Sequence, residues 1–210
     1  HGIDTEKFSK FELYNGNINY EKPNIAFVGN VDGHKGGKIV EDIINNSPQF
    51  TFHLFGISQR PYFLKSHDNY VYHGSYNNKE ISKILNENKI DLVMFLNQCE
   101  ESFSYTLSEV LYAKIPCVAF DIGAIGNRIK KDKLGWVIPV TKDWKEIAQN
   151  YDKIKEEYDE IYKNVTNYKV KTLKEYVEEI DNYYDEYKNG NKKYLYNQFK
   201  FLEKIGRASC

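Results

Sequence analysis

Two glutamates stand eight residues apart in "CEESFSYTLSEVLYAKIPCVAFD" (Cys99–Asp121), and Phe, Ser, Tyr and Thr lie between them. They are Glu101 and Glu109, preceded by one apolar run and followed by another. Ionised carboxylates only accept hydrogen bonds, so such a pair suits a ligand that presents several hydroxyls. The spacing predicts a helix that starts near Ser102 or Ser104. Its first backbone N–H groups, on residues 102–105, then lack intrahelical partners and, with the helix dipole, suit an anion. Helical side chains lean toward the N-terminus, so Glu109, about a turn in, can face the same crevice as Glu101 in the loop. A phosphate on the amides with hydroxyls on the carboxylates describes a phosphorylated polyol. A nucleotide sugar offers that combination in its ribose diol, diphosphate and second sugar. The same letters carry a plainer reading. Thr106-Leu107-Ser108-Glu109 is a capping box, in which Glu109 closes a helix end. Glu100 reads as a solvated neighbour.

These residues need a scaffold that brings loops together. Four nearly continuous apolar runs read as buried parallel strands: "NIAFVG" (24–29), "FTFHLFG" (50–56), "IDLVMFL" (90–96) and "PCVAFD" (116–121). A shorter one, "NYVYHG" (69–74), ends in glycine. Helical patterns lie between them. "GGKIVEDIINN" spaces Ile39, Ile43 and Ile44, "NNKEISKILNENK" follows an Asn cap, and "SYTLSEVLYAK" spaces Leu107, Val110 and Leu111. Strand and helix in alternation predict a parallel sheet with helices on both faces, wound right-handed. Ligands of such sheets bind beyond the carboxyl ends of the strands, so the loops after Val28, Tyr72, Leu96 and Phe120 should meet at one crevice. Trp136, in "GWVIP", is expected to pack under the last strand.

From about Asp143 the composition shifts to Tyr- and Ile-striped helices with Lys and Glu elsewhere, expected to pack on the sheet domain rather than form coiled coils. Another helix, "NKKYLYNQFKFLEKIG", follows a break at Gly190-Asn191, and the closing "GRASC" reads as a vector remnant.

Composition excludes several classes. With 29 Lys and Arg against 30 Asp and Glu, the net charge is -1, so no global field recruits nucleic acid. Only Arg60, Arg128 and Arg207 are arginines, which argues against reading of base edges. Apolar runs are of strand length, too short for a transmembrane segment. The three cysteines form no C-x-x-C pair, and Cys117 reads as a small core hydrophobe. A reducing cytoplasm is the expected setting, with peripheral attachment to the inner face of the membrane as a variant. "GNVDGHKGGK" is a glycine-rich turn into a helix, not a Walker loop, because Ile39 stands where Ser or Thr would bind magnesium. His34 and His73 are expected at the crevice, where hydrogen bonding is preferred over a two-histidine metal site.

The run "EESFSYTLSEVLYAKIPCVAFDIGAIGNRI" resembles the signature of retaining nucleotide-sugar glycosyltransferases of the GT-B fold, in their large family 4. That signature has a Glu, a Phe two residues on, a second Glu eight after the first, a helix, a Pro-Val-Val-Ala-like strand and Asp-x-Gly-Gly/Ala. "FSYTLSE" and "FDIGA" resemble most the C-terminal modules of surface-polysaccharide or O-antigen biosynthesis proteins. "IAFVGNVDGHKGG" and "VYHGSY" fall in the family's order, and "HGIDTEKF" resembles the segment that follows its crossover between domains. The resemblance covers His1 to about Tyr187. It implies a Rossmann-like α/β domain, the C-terminal half of a GT-B fold, with trailing helices. Residues 1–23 would lead in from an N-terminal acceptor domain absent from this sequence, 24–188 would bind the nucleotide sugar, and 189–210 would form the extra helix.

The resemblance also assigns roles. Glu101 would contact hydroxyls of the transferred sugar, Glu109 the ribose diol, and the amides of Phe103, Ser104 and Tyr105 the distal phosphate. Lys35 would neutralise the departing diphosphate, and Gly74, Ser75 and Tyr76 would border the base. Gly29, Asn30, Ser102 and Thr106 complete the donor-binding set, with His34, His73 and Arg128 as accessory candidates. The implied chemistry is glycosyl transfer with retained configuration to a saccharide, glycolipid or glycoprotein acceptor, without a cofactor or an obligatory metal. Two positions depart from the pattern. Asn30 replaces an Arg after the first glycine, and Asn127 replaces a Glu at the end of the "D-x-G-G-x-P-E" run. Lys35 would therefore act alone or with Arg128 or Lys38, and the isolated domain is expected to transfer sugar poorly or not at all. Two other readings compete: a catalytically retired scaffold or regulatory module, and another GT-B enzyme such as an epimerase or phosphorylase.

Overall fold

A computed structural model describes residues 1–14 and 18–188. The residues described fall into two compact units, one of Lys7–Lys169 and one of His1–Glu6 with the chain from Val170 onward. These boundaries differ from those expected at residues 23 and 188. The helix read at "NKKYLYNQFKFLEKIG" and the "GRASC" end lie outside the described residues.

The larger unit is built on six parallel strands: β1 (Asn24–Val28), β2 (Thr51–Phe55), β3 (Tyr70–Gly74), β4 (Leu92–Phe95), β5 (Cys117–Phe120) and β6 (Gly135–Ile138). Their order is β3-β2-β1-β4-β5-β6, with Ala26 opposite both His53 and Val93. The chain winds outward from β1 in one direction, then from β4 in the other. The direction therefore switches between β1 and β4, where the loops that follow these strands part to opposite faces and leave a crevice. β6 corrects the expectation for Trp136, which lies within a sixth strand rather than under the fifth. Its indole stacks on Tyr158 at 6.3 Å and donates to Glu157 Oε2 at 2.9 Å. Three apolar residues between Gly135 and Pro139 are too short a run to declare a strand, and only pairing with β5 completes it.

Helices α1 (Gly37–Asn46), α2 (Ile81–Glu87), α3 (Tyr105–Tyr112), α4 (Gly123–Asp132), α5 (Trp144–Ala148) and α6 (Tyr151–Asn167) cover the sheet on both faces. α1 buries Ile39, Val40, Ile43 and Ile44 and packs against α5, while α2 packs against α3. Each such aliphatic side chain removed from water contributes about 1.5–3 kcal/mol. α6 behaves as the striped pattern requires, burying Ile154, Tyr158, Ile161 and Val165. The Tyr158 hydroxyl donates to the Asp91 carbonyl at 2.8 Å, which ties α6 to the start of β4.

The smaller unit pairs Ile3 with Thr172 in a parallel bridge and carries α7 (Leu173–Lys188). Thr172 and Glu175 form a capping box: Glu175 N donates to Thr172 Oγ1 at 3.2 Å, and Thr172 N to Glu175 Oε2 at 2.7 Å. The apolar stripe on α7 is only partly covered, since Leu173, Val177 and Tyr184 are exposed. Among the described residues no helix is long and apolar enough to cross a membrane.

Candidate functional site

The crevice at the switch point is framed by the loop after β1 (residues 29–36) and the loop after β4 (residues 96–104). Gln98 N donates to His34 O at 2.7 Å, which fastens the two loops together. Gly36 permits their closest approach. It has φ +89, and any Cβ there would collide with the Leu96 carbonyl. Across this junction Lys35 Nζ forms an ion pair with Glu101 Oε1, and Asn97 Nδ2 donates to the same oxygen at 2.5 Å. The structure thus brings the ammonium and the first glutamate into direct contact. Both side chains keep an exposed fraction, 28% for Lys35 and 21% for Glu101, so the pair remains open to a ligand.

The helix that follows differs in its start from the capping-box reading. α3 begins at Tyr105, and Ser104 is its cap, accepting from Leu107 N at 3.3 Å. Thr106 is therefore already helical, and Glu109 lies inside the helix rather than at its end. Ser104 sits at φ +68, a backbone region that side chains other than glycine rarely adopt. Two supports come from α4. Ala124 N donates to Glu101 O at 2.9 Å, and the Arg128 guanidinium donates to the carbonyls of Phe103 (3.0 Å) and Ser104 (3.1 Å) and to Ser108 Oγ (2.8 Å). The guanidinium also lies 4.5 Å from the centre of the Phe103 ring.

Glu109 is 4% exposed, and its Oε2 has no hydrogen-bond partner. Burial pushes its carboxyl from an ordinary 4.5 up to about 7, against the opposing effect of a hydrogen bond with Asn78. Asn78 and Tyr76 belong to the loop after β3, so this loop reaches the second glutamate. Burial, and after it the charge of Glu109, lifts the Tyr76 phenol to about 12, while a hydrogen bond with Thr106 works the other way. A buried, unsatisfied acceptor inside a helix costs stability unless something donates to it. Its main chain is held firmly, because Glu109 O accepts from Ser82 Oγ at 3.1 Å and Ala113 N at 3.1 Å.

Several sequence candidates are placed elsewhere or otherwise engaged. Asn30 Oδ1 turns back to accept from Asp32 N at 2.6 Å. Neither cation suggested as a companion to Lys35 faces it: Arg128 is committed to main-chain carbonyls, and Lys38 pairs with Asp42 at 2.5 Å on the outer face of α1. A carbonyl pair is a better partner for the planar guanidinium than an open crevice, and an i,i+4 carboxylate captures the lysine. His34 and His73 do not meet. His73 Nε2 lies 3.0 Å from His53 Nδ1, and its ring stacks on Phe55 at 4.1 Å. Burial, followed by the proximity of His73, lowers His53 to about 4. Ser75, Ser102 and Asn127 are exposed, Gly29 lies at the end of β1 with φ +102, and Gly74 ends β3 with φ +75. Cys117 is buried, as its strand position requires.

Two polar residues of the crevice loops had no place in the sequence reading. Asn97, directly after β4, was legible as a polar residue at a strand's carboxyl end. Asp32 was visible in the glycine-rich turn, but its partners Ser58 Oγ (2.6 Å) and Gln59 N (2.7 Å) come from the loop after β2, which no local pattern links to it.

A parallel sheet in the order 3-2-1-4-5-6, with charged groups gathered at its switch point, defines a Rossmann-like domain of the kind that forms the C-terminal half of GT-B proteins. The family model described as glycosyl transferases group 1 matches residues 10–172. The chain belongs to that glycosyltransferase family. It is 28% identical over 137 residues to an uncharacterized 41.2 kDa protein in the cps region of Klebsiella pneumoniae, a match over 63% of this chain and 37% of that protein. Its fold is similar to sucrose-phosphate synthase from Thermosynechococcus elongatus, with TM-score 0.64 at 15% identity over 88% of this chain and 51% of that one. It is also similar to Anabaena HepE, solved with UDP and glucose, with TM-score 0.60 at 15% identity over 80% of this chain and 49% of that one. The chain thus spans about half the length of these structures and less of the curated relative.

Proposed function

We propose that this chain is the donor-binding half of a glycosyltransferase that takes a nucleotide-diphosphate sugar and passes its glycosyl unit, with retained configuration, to a saccharide-bearing acceptor. The observation that carries this reading is the Lys35–Glu101–Asn97 cluster at the switch point, with Glu109 in the first turns of the helix that follows and its Oε2 unsatisfied. Family membership supports the transferase class, and the UDP and glucose held by HepE, a protein of the same fold, support the donor. The cps-region relative favours a role in polysaccharide assembly.

In this reading the ribose hydroxyls donate to Glu109, Tyr76 borders the base, and the amides at the mouth of α3 receive the distal phosphate. When the bond between the anomeric carbon and the phosphate oxygen breaks, negative charge grows on the diphosphate. Lys35 and the amide dipoles are already aimed at that charge, so little reorganisation opposes the step. The diphosphate competes with Glu101 for the ammonium, and Glu101, released in part, accepts from hydroxyls of the transferred sugar. The acceptor hydroxyl oxygen bonds to the anomeric carbon on the face the leaving group vacates and gives its proton to the departing diphosphate oxygen. No metal ion takes part in this proposal.

A second reading is a nucleotide-sugar-binding module without transferase power. It is favoured by the company each cation keeps: Lys35 is paired with Glu101, Lys38 with Asp42, and Arg128 with carbonyls, while Asn30 supplies no charge.

Calorimetric titration of UDP, GDP, TDP and their sugars tests the donor site, and product analysis with the full-length protein tests transfer. A bound ligand at about 100 times its dissociation constant should raise stability by roughly 2.7 kcal/mol. Absence of binding by every nucleotide in the panel would refute the donor site. Transfer unchanged by Glu101→Ala would refute the catalytic role.

A further inference from the structure

The guanidinium of Arg128 touches two consecutive main-chain carbonyls, those of Phe103 and Ser104. In a trans peptide the carbonyl and the N–H point in opposite directions. The Phe103 carbonyl shares its peptide plane with the Ser104 N–H, and the Ser104 carbonyl shares its plane with the Tyr105 N–H. A group that draws both carbonyls toward α4 therefore turns both N–H groups away from α4. The strand order decides what lies in that direction. β4 stands between β1 and β5, so away from the helix after β5 means toward the β1 loop, where Lys35 meets Glu101.

Holding the loop this way needs force, because Ser104 is kept at φ +68. Three hydrogen bonds and the contact with the Phe103 ring supply it, and a buried Ser108 fixes the far end of the guanidinium. One turn further along the same helix, Glu109 offers an unpartnered oxygen on a side chain that is 4% exposed, an independent sign that a ligand group belongs at this mouth. The planar fork of arginine spans two carbonyls and a hydroxyl at once, which an ammonium cannot do.

We propose that Arg128 is the positioning residue of the anion site: from behind the loop it orients the Ser104 and Tyr105 amides toward the diphosphate of the donor, without touching the ligand. This rests on the reading that the crevice binds a nucleoside diphosphate, and it replaces the electrostatic role expected for Arg128 with a geometric one.

The test compares Arg128→Lys, which keeps the charge, and Ser108→Ala, which removes one anchor of the guanidinium, with the unaltered chain. UDP, GDP, TDP and ADP and their parent nucleosides are titrated calorimetrically, and circular dichroism checks the fold. For whichever base binds, Arg128→Lys should lower diphosphate affinity by about tenfold and leave nucleoside affinity within about twofold. Ser108→Ala should move the same ratio in the same direction by about threefold, and it decides the question if Arg128→Lys does not fold. Equal losses for diphosphate and nucleoside, or no loss for either, would overturn the proposal while leaving the donor site standing. Failure of the unaltered chain to bind any of the nucleotides would overturn both.

Discussion

Replacing Glu109 by glutamine should make the protein more stable at alkaline pH and worse at binding its ligand. The carboxyl is 4% exposed, and burial raises it from 4.5 to about 7. Between these values the folded state holds a proton that the unfolded state has released, so stability falls as pH rises. Below 4.5 both states are protonated and the group is neutral to folding; above 7 the full cost of a buried carboxylate is present. At about 1.4 kcal/mol per tenfold, that cost is about 0.8 kcal/mol at pH 5 and about 3 kcal/mol at pH 8. Glutamine cannot ionise, so the variant escapes it. The assay is denaturant unfolding of both proteins at pH 5, 6, 7 and 8, followed by the fluorescence of Trp136 and Trp144, which both lie in the Lys7–Lys169 unit. Pairing each variant with its parent cancels effects of glutamine that do not depend on pH. The stability difference should grow in favour of the variant by about 2 kcal/mol or more from pH 5 to pH 8. Nucleotide affinity should fall at the same time, because a neutral amide is a weaker acceptor for ribose hydroxyls. Parallel stability profiles would refute the reasoning, since they would place a normally titrating carboxylate at this position.

The same carboxyl should make binding pH-dependent: affinity for the nucleotide should rise between pH 6 and pH 8, with protons released into buffer, as calorimetry in two buffers of different ionisation enthalpy would report. Gly36→Ala should cost about 2 kcal/mol or more, because the φ of +89 and the collision with the Leu96 carbonyl cannot both be relieved, and it should loosen the Lys35 loop from the Glu101 loop. Its check is a thermal melt together with nucleotide titration. Tyr158→Phe should lower stability by about 1 kcal/mol without altering nucleotide affinity, because its bond to the Asp91 carbonyl lies at the opposite end of the strands from the crevice.

The sequence alone determined the elements and their sense. Continuous apolar runs bounded by glycine read as buried parallel strands, and five of the six emerged within a residue or two of the expected ends. Alternation of strand and helix left little choice but a parallel sheet with ligand loops at one edge, and order along the chain marked the segment around Glu101 and Glu109. All of this is local information, carried by periodicity and spacing. Tertiary structure decided the partners. The pattern T-x-x-E occurs at Thr106–Glu109 and again at Thr172–Glu175, yet only the second forms a capping box, because at the first Ser104 had already capped the helix. Arg128 was one of two alternatives for a companion to Lys35 at the diphosphate, but α4 sets it behind the loop, where two carbonyls compete for it. His73 was expected at the crevice as a hydrogen-bonding group, and it meets His53, since adjacent strands place these rings side by side. Hydrogen bonds and ion pairs act over a few ångströms between residues far apart in the chain. Which of several equivalent donors or charges wins a partner depends on packing that no local pattern encodes.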